Sequence, residues 1–235
     1  MFNGKPIRDV FCFVSARQSG DMGLQSVENR RRFAETLFPS EVKNSGTDIK
    51  LYACRQTHSQ NVVVVEADSP LVFENADGLV MFQGAGKILS VTVADCLPVF
   101  LFDTDSGTFG VVHSGWSGTG IVLNALRLMK TRPEAAAVVF GPCICGHCYH
   151  VDEKRRRIFS EKFGGVGGEY PLGAVVSGDC LDLKAANARL LTRNGVKNLA
   201  YCEDCTFTDQ RLGSFRREGE HFTRMLVGVA GFSSP

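Results

Sequence analysis

The chain has 235 residues, 44% hydrophobic and 22% charged, a balance unlike that of disordered, collagen-like or membrane-spanning sequences. Lys and Arg number 26 against 25 Asp and Glu, so the formal charge of +1 provides no overall basic field, and nucleic acid is not an expected partner. This length suits one domain with a sizeable core, read as residues 1–235.

In chain order, an apolar run at 10–14 predicts a strand, 27–37 a helix, and 49–53, 62–65, 88–93, 99–102 and 109–112 further strands rich in Val, Ile and Phe. A helix follows at 119–130 with Thr119 as its N-cap, then a strand at 136–140 and helices at 152–163 and 182–193, the last capped by Asp182 and stopped at Gly195. Residues 164–178, rich in glycine and without periodicity, predict a surface loop. The class is mixed α/β (α+β). The longest apolar stretch, 88–102, is interrupted by Asp95 and Pro98, so no membrane span is expected. Residues 1–15 lack the apolar stretch and cleavage site of a secretory signal, and a cytoplasmic location is expected. Nine cysteines, an odd count in a long chain, suggest thiols or metal ligands rather than a disulfide framework.

Three metal-capable residues sit at strand ends: His58 in Arg55-Gln56-Thr57-His58, Cys96 in Ala94-Asp95-Cys96, and His113 at the start of the glycine-rich turn 114–120. Loops at strand ends commonly carry function. Two imidazoles and a thiolate meeting on one rim would suit Zn²⁺ with an open fourth position, able to activate water or polarise a substrate oxygen. Copper is the alternative, since blue-copper sites also use two His and one Cys. A helix starting near Thr119 would turn its free N–H groups to the same rim and favour an anion. Taken singly, a strand-end His is more often a structural hydrogen-bonding residue, and a Cys more often a small buried hydrophobe.

Cys143, Cys145 and Cys148, with His147 and His150 among them, also resemble a metal cluster, with Cys202 and Cys205 as a second pair. A structural zinc would require the two segments to be adjacent; buried thiols are the expectation. The basic runs 30–32 and 154–157 read as solvated helix faces, and the 17 Phe as core.

Four ordered motifs are more specific: Gln56-Thr57-His58-Ser59, Thr92-Val93-Ala94-Asp95-Cys96-Leu97-Pro98-Val99, Val112-His113-Ser114-Gly115-Trp116-Ser117-Gly118 and Gly141-Pro142-Cys143-Ile144. With Ser15 and Arg17 before them and Cys205-Thr206 and Ser214-Phe215-Arg216-Arg217 after, the chain resembles the laccase-domain family. That family is long labelled multicopper polyphenol oxidases and is also described as purine nucleoside phosphorylases. The resemblance implies layered mixed β-sheets flanked by helices, akin to the catalytic domain of cytotoxic necrotizing factors, and a zinc site at His58, Cys96 and His113. It further implies phosphorolysis of adenosine, inosine, guanosine and S-methyl-5′-thioadenosine to the base and a ribose 1-phosphate, with adenosine deamination as a further activity. Purine nucleosides and phosphate would then be the partners. By position and chemistry, Arg17, and Arg55 beside the three ligands, are the candidate phosphate holders, and Asp95, next to Cys96, is the candidate acid/base. The chain departs from the family at Ala16 and Gln18-Ser19-Gly20, at His150 in place of Glu, and at Thr223 in place of Gly, changes that bear on substrate contacts. A copper polyphenol oxidase or a non-enzymatic metal-binding protein are the rival readings. Five histidines are few for several coppers, and retention of all three ligand types speaks against a bare scaffold.

Overall fold

A computed structural model describes residues 7–37, 50–82, 87–164 and 174–233. Strands β1 (Ile7–Val14), β2 (Lys50–Arg55), β4 (Val72–Glu74), β6 (Lys87–Val93) and β13 (Met225–Ser233) form one mixed sheet in the order β1-β13-β6-β2-β4. A second sheet has the order β12-β9-β7-β8-β5-β3, built from β3 (Val62–Val64), β5 (Gly78–Met81), β7 (Leu97–Asp103), β8 (Phe109–Ser114), β9 (Ala136–Phe140) and β12 (Asn198–Tyr201). The short strands β10 (Val176–Ser177) and β11 (Cys180–Leu181) pair with each other. The helices are α1 (Val27–Leu37), α2 (Ile121–Met129), α3 (Glu153–Phe159), α4 (Leu183–Arg193) and the single turn α5 (Phe215–Glu218).

Alternation along the strands decides the layering. In β13, Met225, Val227 and Val229 face inward with Tyr52, Leu89 and Val91 of their own sheet and Leu79, Phe100, Phe109 and Val111 of the other, making the core between the sheets. The opposite face of β13, Leu226 and Ala230, packs with Phe13, Ile88 and Ala34 of α1. The outer face of the six-stranded sheet, including Val99, Leu101, Val112 and Val138, is covered by Ile121, Val122 and Ala125 of α2 and by Leu183, Ala186 and Leu191 of α4. The fold is therefore four layers, helix, sheet, sheet, helices, and each fully buried aliphatic side chain contributes about 1.5–3 kcal/mol. Mixed sheets flanked by helices match the expected class.

The predicted strands and helices are present within a few residues of their expected limits; Ile49 of the expected strand 49–53 lies outside the described residues. Asp182 caps α4 by accepting from the Ala185 N–H at 2.9 Å, and Gly195 follows that helix at φ +84°. Thr119 does not cap α2: Gly120, at φ +106°, holds that position, and the Thr119 hydroxyl donates instead to the Gly115 carbonyl at 2.9 Å. The expected loop 164–178 contains the start of the β10–β11 pair, while residues 165–173 lie outside the described set. Strands β4, β5, β11, β12 and β13 were not expected from the sequence. Arg30 departs from its expected solvated position: it is buried, donating to the Met22 carbonyl at 2.9 Å and the Ser90 hydroxyl at 3.3 Å, and burial lowers its guanidinium to about 10.

Candidate metal centre

Topology brings His58, Cys96 and His113 together. Strands β2 and β6 run parallel, with Leu51 beside Ile88 and Tyr52 beside Leu89, so their carboxyl ends lie side by side. At that end both chains leave the five-stranded sheet for the six-stranded one, β2 leading to β3 and β6 to β7. The crossings run through left-handed backbone at His58 (φ +59°) and Asp95 (φ +94°), unusual for residues with a Cβ and a sign that the surroundings impose the conformation. Strand β8 then returns antiparallel to β7 with His113 opposite Pro98, which places it next to Cys96. One ligand atom from each of His58, Cys96 and His113 lies within 4.8 Å of the others, and the two imidazoles meet edge to face at 4.8 Å between centroids.

Asp77, which the sequence reading passed over, organises this rim. Its carboxylate is fully buried and accepts from the backbone N–H groups of Thr57 (3.1 Å), His58 (3.0 Å) and Ser59 (2.7 Å), from the Ser59 hydroxyl (2.8 Å) and from Nδ1 of His113 (2.9 Å). Burial, the largest single influence, pushes this carboxyl up, but the His113 and Ser59 donors outweigh it and hold it far below the usual range. The charge of Asp77 and of Cys96 in turn raises His113 against the downward pull of burial, and the two imidazoles lower the Cys96 thiol against burial's upward push. A carboxylate on Nδ1 leaves Nε2 of His113 as the nitrogen available to a metal, the arrangement that usually supports a metal-bound His. Atoms bound tetrahedrally at about 2.0–2.3 Å from one ion lie about 3.3–3.8 Å apart, so the observed cluster fits such an ion with small side-chain adjustment.

Gly115 touches all three residues: a Cβ there would lie 3.0 Å from the His58 ring, 3.2 Å from the Cys96 sulfur and 3.8 Å from the His113 ring. Gln56 fixes the spacing of the two crossings, because its amide donates to the Thr92 carbonyl at 2.8 Å and accepts from the Thr92 N–H at 2.8 Å, linking the ends of β2 and β6.

The cluster lies in the wall of a cavity of about 560 Å³, a size typical of small-molecule sites. Asp95 lines it, but each carboxylate oxygen is engaged, one by the Thr206 hydroxyl at 2.6 Å and the other by the Arg216 N–H at 2.7 Å. Arg55 also lines it and is paired with Glu74 at 2.8 Å. Arg17 is not among the lining residues; it lies 3.4 Å from Glu218. Three arginines that the sequence reading did not single out for this role line the cavity instead. Arg155 stacks over Trp116 at 5.0 Å, Arg216 over Tyr149 at 4.9 Å, and Arg224 pairs with Asp21 at 3.0 Å. Arg155 thus departs from the solvated face expected for 154–157. The start of α2, whose N–H groups were the expected anion site, is not among the residues that line this cavity. That helix start is held against the His58 segment by Gln60 donating to the Thr119 carbonyl at 2.7 Å and Ser117 to the His58 carbonyl at 3.0 Å.

The sequence pattern of the family described as multi-copper polyphenol oxidoreductase laccase matches residues 13–231. A protein of Corynebacterium glutamicum named as a purine nucleoside phosphorylase is 33% identical over 85% of this chain and 79% of its own. A protein of Geobacillus stearothermophilus, named purine nucleoside phosphorylase YlmD, is 32% identical over 89% of this chain and 80% of its own. One from an unknown prokaryotic organism, named adenosine deaminase RL5, is 28% identical over 89% and 83% respectively. The crystal structure of YlmD superposes with a TM-score of 0.79 at 27% identity, covering 97% of this chain and 93% of that one. Among the described residues no helix is long and apolar enough to cross a membrane.

Proposed function

The chain belongs to the multi-copper polyphenol oxidoreductase laccase family, and from that premise we propose that it is a zinc-dependent purine nucleoside phosphorylase with an accompanying adenosine deaminase activity. The observation that carries the reading is the cavity itself, where two imidazoles and a thiol converge beside aromatic side chains and stacked guanidinium groups. Adenosine, inosine, guanosine and S-methyl-5′-thioadenosine are the proposed substrates, the set implied by the family resemblance; the relatives' names supply purine nucleosides as a class and adenosine.

In phosphorolysis a phosphate oxygen forms a bond to C1′ as the bond from C1′ to the base nitrogen breaks, and the base leaves with the electron pair and takes up a proton. This demands orientation and charge complementarity more than covalent chemistry from the protein. His58, Cys96 and His113 are the proposed ligands, and an ion held there supplies Lewis-acidic positive charge in the cavity wall. Arg155 and Arg216 take the phosphate-holding role that the sequence suggested for Arg17: their guanidinium groups sit over Trp116 and Tyr149 in the cavity wall, each with one nitrogen engaged, Arg155 by Asp152 at 3.2 Å and Arg216 by the His150 carbonyl at 2.7 Å, and the remaining N–H groups are their phosphate donors. Arg55 joins them only by sharing its charge with Glu74. Trp116, Tyr149 and Phe222 line the cavity and offer aromatic surface to a flat purine beside the guanidinium groups of Arg155, Arg216 and Arg224 that sit over them. Asp95 acts first as a strut, holding Thr206 and the N–H of Arg216; proton transfer by it during deamination requires one of these bonds to release.

Zinc is favoured over copper by the histidine count. The whole chain has five histidines, few for the several coppers of a laccase. The test is metal analysis of purified protein with incubation of adenosine and phosphate, followed by chromatography for adenine, inosine and hypoxanthine. Zinc with phosphate-dependent base release is expected, and His58→Ala and Cys96→Ala each lose this ion and the activity while remaining folded. No base release from any purine nucleoside sinks the proposal, and copper with turnover of a phenol installs the oxidase reading.

A further inference from the structure

A second cluster of metal-capable side chains lies outside the reading above. The sulfurs of Cys145, Cys148 and Cys205 are within 4.8 Å of one another. Backbone pairing accounts for the convergence: Cys143 and Cys205 form a parallel bridge, and the Thr206 N–H donates to the Cys143 carbonyl at 3.2 Å, so two distant segments run side by side. Cys145 and Cys148 then flank a turn closed by the Cys148 N–H on the Cys145 carbonyl at 3.0 Å, the C-x-x-C spacing common in structural zinc sites. The Cys145 N–H also donates to the Cys205 sulfur at 3.3 Å, a contact that favours thiolate over thiol. Cys205 is buried, whereas Cys145 and Cys148 are half-buried, leaving an approach from solvent.

We propose that Cys145, Cys148 and Cys205 form a second metal site, taking a thiophilic divalent cation of the Zn²⁺ class with water in the fourth position. Three sulfurs this close repel one another when ionised, and a cation converts that repulsion into attraction. Ligation displaces the thiol protons to solvent and transfers no electrons. Burial pushes the Cys205 thiol up, yet the N–H groups of Cys145, Thr208 and Phe207 bring it to about 7. The role is a staple. One segment carries Ile144 and Tyr149 to the cavity, and the other leads through Thr206 towards Arg216, the two groups that grip Asp95.

The proposal stands independently of the nucleoside reading, because its test isolates the thiol cluster. Full-length protein is purified anaerobically with reductant, loaded with Zn²⁺, dialysed, and its metal counted; Co²⁺ loading reports sulfur-to-metal charge transfer. We expect about two ions per chain in the wild type and about one in His58→Ala. The ion remaining in His58→Ala should show thiolate charge transfer that both Cys145→Ser and Cys148→Ser abolish in that background. The proposal is overturned if His58→Ala binds no ion, or if its ion and spectrum survive Cys145→Ser and Cys148→Ser together. Mass-spectrometric detection of a disulfide among these cysteines in the anaerobically purified protein overturns it equally. Circular dichroism identifies any variant that fails to fold, and the singly substituted, half-buried Cys145→Ser then serves as the deciding variant.

Discussion

Gly115 leaves no room for a side chain between the two imidazoles and the thiol, and so decides how closely they approach. Alanine there meets the His58 ring at 3.0 Å and the Cys96 sulfur at 3.2 Å, forcing both away by tenths of an ångström. Gly115→Ala should weaken metal binding by about tenfold or more, comparable to loss of a supporting group around a ligand, with the fold intact. A competition titration with a chromophoric chelator measures this, and unchanged affinity would contradict the crowding. At this scale the sequence was legible where chemistry is tied to residue type: His58, Cys96 and His113 are recognisable by their donor atoms and strand-end positions. Asp77 was not, because an acidic residue before a short strand reads as a turn, and its function depends on six donors arriving from two segments. Arg155 and Arg216 were equally hidden, since only folding lays them over Trp116 and Tyr149.

Among the elements, β2 and β6 owe their alignment at the cavity to the Gln56 amide, which substitutes for a further rung of backbone pairing opposite Thr92. Gln56→Ala removes those bonds and leaves the partly buried Thr92 groups unpaired, which should cost about 1–3 kcal/mol and loosen metal binding as well. Thr104→Ala provides the control. Its hydroxyl holds the Ala135 carbonyl at 3.1 Å beyond the far end of β7, so it should lower stability without altering the metal. Urea denaturation with metal titration of both variants distinguishes the two effects; equal metal affinity in both would refute the latch. Unbroken apolar runs such as 88–93 and 109–112 were legible as strands because they are buried on both faces. Strand β13 was obscured by Gly228, whose missing Cβ admits the Phe13 ring, where a Cβ would lie 2.4 Å from it. Strand β12 was obscured by the exposure of Asn198 and Ala200 at the sheet edge.

Across the whole molecule, Asp21 ties the approach to α1 to the last strand: it accepts from the N–H of Arg224, 203 residues away, at 2.9 Å and from that guanidinium at 3.0 and 3.1 Å. Burial alone raises this carboxyl, but the Arg224 bonds outweigh it and lower it below its ordinary 3.8. A carboxyl lowered on folding stabilises the fold above its unfolded pKa and loses that contribution as pH falls through the folded one. With both side chains partly in solvent, the advantage over Asp21→Asn should be about 1 kcal/mol at neutral pH and shrink below about pH 4. Urea melts at pH 7 and pH 3 test this, and a gap of the same size at both values would show that charge is not involved.

The left-handed crossings at His58 and Asp95 carry the chain from one sheet into the other, so the metal-capable cluster sits on the seam between the two halves of the sandwich. An ion held there would act as a rivet: sliding one sheet against the other by even a fraction of a residue would tear ligands from it. On the proposed function, catalytic readiness and mechanical cohesion are bound to one point, and a chain stripped of that ion should be the looser sandwich as well as the idle one.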